Sequence, residues 1–152
     1  MPSDNLLRLV ALDPESLTIV SAHVQDAVAK VRDLVWLPRE HKFALGMNRF
    51  VWVSAGGGRG VAGMPERRRA ALHFDRVSSV QSLGFDRRRR DTVLSLLAIR
   101  FQPGEGPSGH VEIDFAGGGT LRLAVECIEA QLTDLGPAWA AKNRPRHDLS
   151  GV

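Results

Sequence analysis

The chain has 152 residues, of which 43% are hydrophobic and 24% are charged, and its formal net charge is +3. These values are typical of one soluble globular domain, which we place over residues 1–152 with a core at 6–136 and a polar tail at 137–152. The apolar runs are far shorter than the roughly 18–20 residues of a membrane span, and the start lacks a signal-peptide pattern. We therefore expect a cytoplasmic protein.

The first predicted elements are a short strand at Leu6–Leu12 and a helix. Asp13 is a good N-cap, and Pro14 suits the first helical position because its fixed φ is already helical. Apolar residues with helical spacing then predict a helix from Pro14 to about Ala29.

Two strands follow, at Val31–Leu37 and Lys42–Val53, separated by a proline-initiated turn. In the second strand Phe43, Leu45 and Met47 share one face, whereas Phe50 and Trp52 fall on the other. This change of phase predicts a bulge or sharp bend near Asn48–Arg49.

The segment from Arg67 to Gln102 is interpreted as the centre of the fold. It predicts one long antiparallel pair, formed by a strand at Ala70–Ser82 and a return strand at Thr92–Phe101, with a second bulge near Asp75–Arg76. The return strand is apolar on both faces, which predicts a strand covered from two sides.

The last elements are a β-hairpin and a short helix. Apolar and polar residues alternate through His110–Phe115 and Leu121–Cys127, on either side of Gly117–Gly119. A closing helix is predicted from Ile128 to Leu135, ended by Gly136. The fold class is therefore α+β, with about seven mostly antiparallel strands in a curled sheet or partial barrel, and a pleckstrin-homology-like barrel is one candidate.

The segment Gly58–Gly63 matches the spacing G-x-G-x-x-G of dinucleotide-binding loops. Such a site also needs a helix that opens at the loop, so that backbone amides meet the pyrophosphate. Here the chain enters another predicted strand at Ala70. We therefore interpret Ser54–Met64 as a mobile glycine-rich loop and predict no cofactor.

Three potential metal ligands, His110, Glu112 and Asp114, alternate on one face of one predicted strand. Ligands on one strand diverge, so His73 or Asp75 would have to complete a site. The pattern favours a solvated face and no metal. The same five residues are the basis of an alternative hypothesis in which the protein is an enzyme. Cys127, the lone cysteine, is expected to be a buried, inert thiol.

Arginine is concentrated between residues 59 and 90, where nine arginines accompany three acids. Two runs are candidate anion-binding residues: Arg67, Arg68 and Arg69, and Arg87, Arg88, Arg89 and Arg90. The runs would lie up to about 40 Å apart along a straight strand, and only Phe85 offers an aromatic ring near the second run. The alternatives are an anionic partner, such as nucleic acid or an acidic protein, and a solvated charged turn.

Several stretches together resemble a family of small bacterial proteins classed only as a domain of unknown function. They are Leu72–Val77, Leu94–Phe101, Phe115–Gly119, Glu126–Ala130 and Leu135–Trp139. The resemblance runs from about Leu6 to His147. It implies a bacterial cytosolic protein with one domain, and it implies no activity and no site.

The sequence thus favours a small non-enzymatic binding or protein-interaction module, because a good core pattern occurs without a catalytic constellation. An electrostatic nucleic-acid-binding protein is the alternative, and an enzyme with a scattered site is the second alternative. A protein binder is expected to have an exposed apolar patch or a free strand edge, whereas an enzyme is expected to have a deep polar pocket.

Overall fold

The computed structural model describes residues 6–52 and 65–137, which form one α-helix and ten β-strands. In chain order these are β1 (Arg8–Ala11), α1 (Pro14–Val24), β2 (Val28–Lys30), β3 (Leu34–Leu37), β4 (Lys42–Trp52), β5 (Pro65–Phe74), β6 (Val77–Leu83), β7 (Val93–Pro103), β8 (Gly109–Phe115), β9 (Thr120–Val125) and β10 (Ala130–Pro137). The loop predicted at Ser54–Met64, with its glycine motif, and most of the polar tail lie outside the described residues.

The strands form one open sheet in the order β1-β10-β5-β4-β2-β7-β8-β9-β6, and β3 pairs with β4 beside β2. The strand pairings are antiparallel. The predicted α+β class with a mostly antiparallel sheet is therefore confirmed. The predicted strand number of about seven is wrong, because β2 was assigned to the helix, β5 and β6 to one strand, and β10 to a helix.

Helix α1 begins where the sequence predicts and ends earlier. The Oδ1 atom of Asp13 accepts a hydrogen bond from the Ser16 amide at 2.7 Å, and the Ser16 hydroxyl accepts one from the Asp13 amide at 3.2 Å. The helix ends at Val24 rather than near Ala29, because Val28–Lys30 bridges β4 and β7 as a strand. The Ser21 hydroxyl accepts a hydrogen bond from the Ile99 amide at 2.9 Å, which fastens α1 to the edge of β7.

One hydrophobic core lies under the inner face of the sheet, and α1 contributes Leu17, Val20 and Val24 to it. The largest fully buried side chains come from both halves of the sheet, and they include Phe43, Leu45, Met47, Leu72, Phe74, Leu96, Ile113, Phe115, Leu121, Leu123 and Leu132. Alternate residues of each strand point inward, so the pleat places the other half of each strand on the outer face.

The predicted long pair from Arg67 to Gln102 is wrong. The predicted strand is interrupted at Asp75–Arg76, where the chain changes direction and Arg76 has a left-handed φ of 62°. After the break β6 pairs with β9, while β5 stays between β4 and β10. The connection between β9 and β10 stabilises this turn through two backbone hydrogen bonds. The Asp75 amide donates to the Glu129 carbonyl at 2.8 Å, and the Glu126 amide donates to the Arg76 carbonyl at 3.0 Å.

The return strand, now β7, pairs with β2 and β8 instead of β6. It is also covered on one face only, because Leu94, Leu96 and Ile99 are buried while Val93 and Leu97 are 60% and 47% exposed. The prediction of a strand covered from two sides is therefore wrong. The register shift between Leu96 and Ala98 changes the phase of the pleat and hides the alternation in the sequence.

The predicted C-terminal helix is wrong, because residues 130–137 form β10 between β1 and β5. Ala130, Leu132 and Asp134 point inward and are buried. Because Asp134 is charged, this segment does not show the alternation of apolar and polar residues that is typical of a strand. The argument for a pleckstrin-homology-like barrel rested on a final helix and loses that support.

The bulge predicted near Asn48–Arg49 is also wrong. The register of β4 with β5 continues without a shift from Phe43 opposite Phe74 to Trp52 opposite Pro65. Arg49 occupies the inner position that an apolar residue would normally take, and it is 5% exposed. The predicted hairpin is confirmed as β8 and β9, although Cys127 lies beyond β9 and is only partly buried.

Candidate functional site

The first arginine run is divided between the two faces of β5. Arg67 points outward, and the centre of its guanidinium lies 5.8 Å from the centroid of the Phe50 ring. Arg69 also points outward, with Nη2 3.4 Å from an oxygen of Asp33. Arg68 points inward, and its Nη2 lies 3.2 Å from Oε1 of Glu66. The run therefore offers two outward arginines rather than three.

Gly46 lets Arg69 cross the sheet surface. A Cβ atom at this position would lie 2.8 Å from Nη2 of Arg69, closer than real side chains approach. Without that atom, the guanidinium passes over β4 towards Asp33, and Nη1 lies 3.5 Å from the amide oxygen of Asn48. A larger residue at this position would therefore displace the flexible end of the Arg69 side chain.

The second run, Arg87–Arg90, lies in the exposed loop between β6 and β7. The Arg88 guanidinium donates to Asp86, with Nε 3.1 Å from Oδ1, and this bond lowers the pKa of the Asp86 carboxyl. Among residues 6–52 and 65–137, Arg87, Arg89 and Arg90 have no side-chain ion pair. Phe85, the aromatic residue predicted near this run, packs edge-on against Phe115, with ring centroids 5.7 Å apart.

The turn at residues 31–33 connects the two arginine runs. The Arg32 amide donates to the Arg90 carbonyl at 3.0 Å, and the Arg32 side chain pairs with Asp91. The next residue, Asp33, holds Arg69. The two runs therefore approach the same turn from either side, although the sequence separates them by a whole strand. Anion binding by these arginines stays a prediction.

A buried ion pair lies on the inner face, at the third inner position of β10. Arg49 donates two hydrogen bonds to Asp134, from Nε at 2.7 Å and from Nη2 at 2.8 Å. The Leu7 amide donates to the same carboxylate at 2.9 Å. Burial raises the pKa of the Asp134 carboxyl, but the bonds from Arg49 and Leu7 and the positive charge of Arg68 outweigh it, so the pKa is lowered.

The acids of β8 are partners of arginines. Glu112 lies between Arg100 at 2.9 Å and Arg122 at 3.4 Å. Asp114 accepts from Nε of Arg100 at 2.6 Å, and this hydrogen bond lowers the pKa of the Asp114 carboxyl. In the described parts of the chain, no three His, Cys, Asp or Glu side chains are placed to hold a metal ion.

The residues of the enzyme hypothesis lie in two places. His73 and Asp75 are 3.6 Å apart at the end of β5. His110, Glu112 and Asp114 lie on β8, and β4, β2 and β7 separate these two strands in the sheet. By the other route β5 leads directly into β6, so only β6 and β9 lie between that end of β5 and β8. No three of these five side chains are placed together as metal ligands would be.

Two open clefts occur in the described part of the surface. The first, of about 350 Å³, is here called the acidic cleft, and it is lined by Glu40, His41, Asp75, Arg76, Glu126 and Glu129. The second, of about 520 Å³, lies between the end of α1 and β4, and it is lined by Ala22, His23, Gln25, Asp26, Arg49, Phe50 and Val51. In the acidic cleft, four carboxylates accompany one arginine.

The outer sheet face is the solvent side of β3, β4, β5, β10 and β1. The strand register places one row across it, consisting of Val35, Ala44, His73, Gln131 and Val10. The next row consists of Gly46, Ala71, Thr133 and Arg8. Val35 is 44% exposed and Val10 is 53% exposed. The centre of this face therefore combines the small residues Ala44, Gly46 and Ala71 with His73, Gln131 and Thr133, and exposed apolar residues lie at both margins.

The only α-helix in residues 6–52 and 65–137 is the eleven-residue α1, too short to cross a membrane. Comparison of the chain with curated proteins and with solved structures found no match in either. The model of a protein family described as "Protein of unknown function (DUF2948)" matches residues 7–147, nearly the whole chain. The resemblance drawn from the sequence is therefore confirmed, and the protein belongs to this family.

Proposed function

We propose that the protein is a non-catalytic protein-interaction module and that the outer sheet face is its binding surface. One observation carries this proposal: small or apolar residues lie on four of the five strands of this face, and α1 packs elsewhere; they are Val35, Ala44, Gly46, Ala71 and Val10. A sheet face in contact with water normally carries polar residues at these positions. Uncovered apolar residues on such a face are typical of a contact surface.

The shape of the outer sheet face suits a helix of the partner. Four strand spacings, about 19 Å, separate Val35 from Val10, and a helix with its side chains is about 10–12 Å wide. Between these margins Ala44 and Ala71 form a floor of small side chains that leaves room for a helix to approach, and the Arg69 guanidinium lies beside it over Gly46.

The charge beside the floor defines the partner further. Arg8 lies at the end of the second row, and Arg67 and Arg69 lie on the same face of β5. An amphipathic helix with an apolar stripe and carboxylates near one end would complement this arrangement. The partner is therefore proposed to be another protein that presents such a helix.

Site-specific photo-crosslinking tests the proposal in cells that naturally make the protein. A photoreactive amino acid in place of Val35 is expected to link to a partner, whereas the same residue in place of Leu97, exposed on β7, is not. Ala71→Glu, which puts a charge on the floor, is expected to abolish the link. The crosslinked peptide must be an acidic amphipathic helix. Equal linking at both positions, or a link to a second copy alone, would contradict the proposal.

Separation of the polar residues supports a binding module over an enzyme built from them. Strands β6 and β9 lie between the end of β5, with His73 and Asp75, and the acids of β8, and those acids already have arginine partners. General acid-base chemistry needs such groups within hydrogen-bond reach of one substrate.

Electrostatic nucleic-acid binding is the second candidate, and the turn at residues 31–33 favours it. Arg69 and Arg90 approach this turn from two sides, and Arg67 lies over the ring of Phe50. Titration of labelled RNA and DNA at two salt concentrations tests it. Binding that weakens steeply with salt, and that Arg67→Gln with Arg69→Gln reduces, is expected. Absence of binding at low salt would eliminate this candidate.

A further inference from the structure

Strand β6 ends the sheet with a partly open edge. Its strand partner is β9, and at its first residue His41 occupies the other side. The Val77 amide donates to the His41 carbonyl at 2.9 Å, and the Val77 carbonyl lies 3.3 Å from Nδ1 of His41. From Ser79 to Leu83, the edge facing away from β9 has no backbone partner in the described residues.

This open stretch lacks the features that usually protect an edge strand. Residues 79–83 contain no charge and no proline, and Leu83 is 53% exposed. Alternate residues of an antiparallel strand direct their N–H and C=O groups to opposite sides. At least two of these five residues therefore offer unpaired backbone groups to another strand. By contrast β1, at the other end of the sheet, has four residues and lies next to α1.

The two ends of β6 carry opposite charge. Its first residue follows Asp75 and Arg76 of the acidic cleft, where Asp75 pairs with Lys42 and Glu129 with Arg76. The other two carboxylates of the cleft, Glu40 and Glu126, have no ion pair among the described residues. Its last residue leads to Arg87–Arg90 within a few residues. The strand thus runs from a negative end to a positive end over about 20 Å.

We propose that β6 pairs with β6 of a second copy of this chain, antiparallel and about a two-fold axis at Gln81. In this register Ser79 lies opposite Leu83 of the other copy, and Gln81 lies opposite its own counterpart. Antiparallel pairing reverses one strand, so each arginine turn lies beside the other copy's acidic cleft. The edge is therefore complementary to itself in both hydrogen bonding and charge, as a two-fold interface requires.

The interface is small, because five residues pair on each side, and it is therefore expected to be weak and reversible. The two charge junctions are equivalent by symmetry, so any gain from one is doubled in the dimer. The proposal is independent of the outer sheet face, which lies on other strands.

Cysteine crosslinking tests the register. In a Cys127→Ala background, Gln81→Cys is expected to form a disulfide-linked dimer under mild oxidation, because directly opposite Cβ atoms are about 4.5–5.5 Å apart. Ser79→Cys alone and Leu83→Cys alone are expected to remain unlinked, whereas a mixture of the two is expected to link. A link in Ser79→Cys alone, or none in Gln81→Cys, would overturn the proposal.

Sedimentation equilibrium of the unmodified chain tests the charge junctions. A monomer–dimer equilibrium is expected whose dissociation constant rises with salt. Replacing Arg87–Arg90 by glutamine is expected to weaken the dimer about ten-fold, because each of the two junctions loses exposed ion pairs that are individually weak. Arg8→Gln, which removes an exposed arginine on β1 at the other end of the sheet, is the matched control and is expected to change little. A chain that stays monomeric up to about 1 mM, or a dimer indifferent to salt and to these arginines, would refute the pairing.

A variant of the outer sheet face separates this proposal from the proposed function. Ala71→Glu is expected to remove the crosslink to the helical partner and to leave the Gln81→Cys disulfide intact. Loss of the disulfide in Ala71→Glu would mean that the copies meet through the outer sheet face, and the β6 pairing would then be wrong.

Discussion

Two groups of arginines show how the same side chain acts in opposite settings. Arg49 is 5% exposed, and both its Nε and Nη2 bond to Asp134. Arg87–Arg90 lies in an exposed loop, with Arg88 paired to Asp86 and side chains that reach water. The first setting fixes a unique geometry within the sheet, whereas the second leaves charge available at the surface.

The difference follows from desolvation. A buried charge that loses its partner keeps the cost of leaving water, and no solvent compensates it. An exposed guanidinium loses little when its partner is removed, because water and salt replace the partner. Charge inside the sheet therefore governs stability, and charge in the loop is free to govern binding.

The largest expected effect comes from Asp134→Ala. This change leaves Arg49 buried without a counter-ion and leaves the Leu7 amide without its acceptor, so the free energy of unfolding is expected to fall by about 3–5 kcal/mol. Chemical denaturation with urea measures it. Asp86→Ala, which removes the partner of an exposed arginine, is the control, and similar losses for the two variants would break the comparison.

The pH dependence of stability sharpens the comparison. The pKa of Asp134 in the folded chain is lowered from its ordinary value of 3.8, so its stabilising contribution is complete above that value and is lost as pH falls through the folded pKa. The difference in unfolding free energy between the natural chain and Asp134→Asn is therefore expected to shrink below about pH 4. A constant difference between pH 6 and pH 2 would contradict this assignment.

Replacing both members of the buried pair is expected to cost much less than breaking it. Arg49→Met combined with Asp134→Leu removes both charges together, so no uncompensated ion remains, and stability is expected to lie within about 2 kcal/mol of the natural chain. The double variant should be compared with each single variant by urea denaturation. A double variant as unstable as Asp134→Ala alone would show that the pair has a role beyond charge compensation.

The ion pairs on β7, β8 and β9 are expected to make an intermediate contribution to the free energy of unfolding; they join Arg100, Glu112, Asp114 and Arg122. The Arg100 side chain is 47% exposed and contacts both Glu112 and Asp114. Arg100→Gln is therefore expected to lower the unfolding free energy by about 1 kcal/mol, as for a partly exposed ion-pair network. A loss as large as that of Asp134→Ala would show that these exposed ion pairs stabilise the fold as strongly as the buried pair of Arg49 and Asp134.

The smallest effect on stability is expected from replacing Arg87–Arg90 by serine. Repulsion among four exposed like charges is on the order of 1 kcal/mol or less for each pair, so the melting temperature should stay nearly unchanged or rise slightly. Thermal unfolding followed by circular dichroism measures it. A fall of more than about 5 °C would show that the loop is part of the stable framework.

Several elements could be predicted from the sequence because their signals are local. Asp13 and Pro14 start a helix by contacts within one turn, and the structure contains the expected cap. The alternation in β8 and β9 predicts a hairpin because neighbouring strands share one turn and one buried face.

Arg49 and Asp134 are the residues at which sequence reasoning failed. Arg49 interrupts the apolar inner face of β4, so the sequence pattern wrongly predicts a bulge there. Asp134 interrupts the inner face of β10, so the pattern wrongly predicts a helix. Each charge is compatible with the core only because the other lies within 2.8 Å, and 85 residues separate them in the sequence. A one-dimensional pattern cannot identify such a pair.

The sequence by itself determined the class of the fold, the start of α1, the hairpin and the presence of two arginine runs. Only the tertiary structure decided that the predicted strand is interrupted at Asp75–Arg76 and that Arg69 and Arg90 both contact the turn at residues 31–33. The physical reason is the range of the interactions. Capping and alternation act between neighbours in the chain, whereas strand order and ion pairing are settled by which distant surfaces can be buried together.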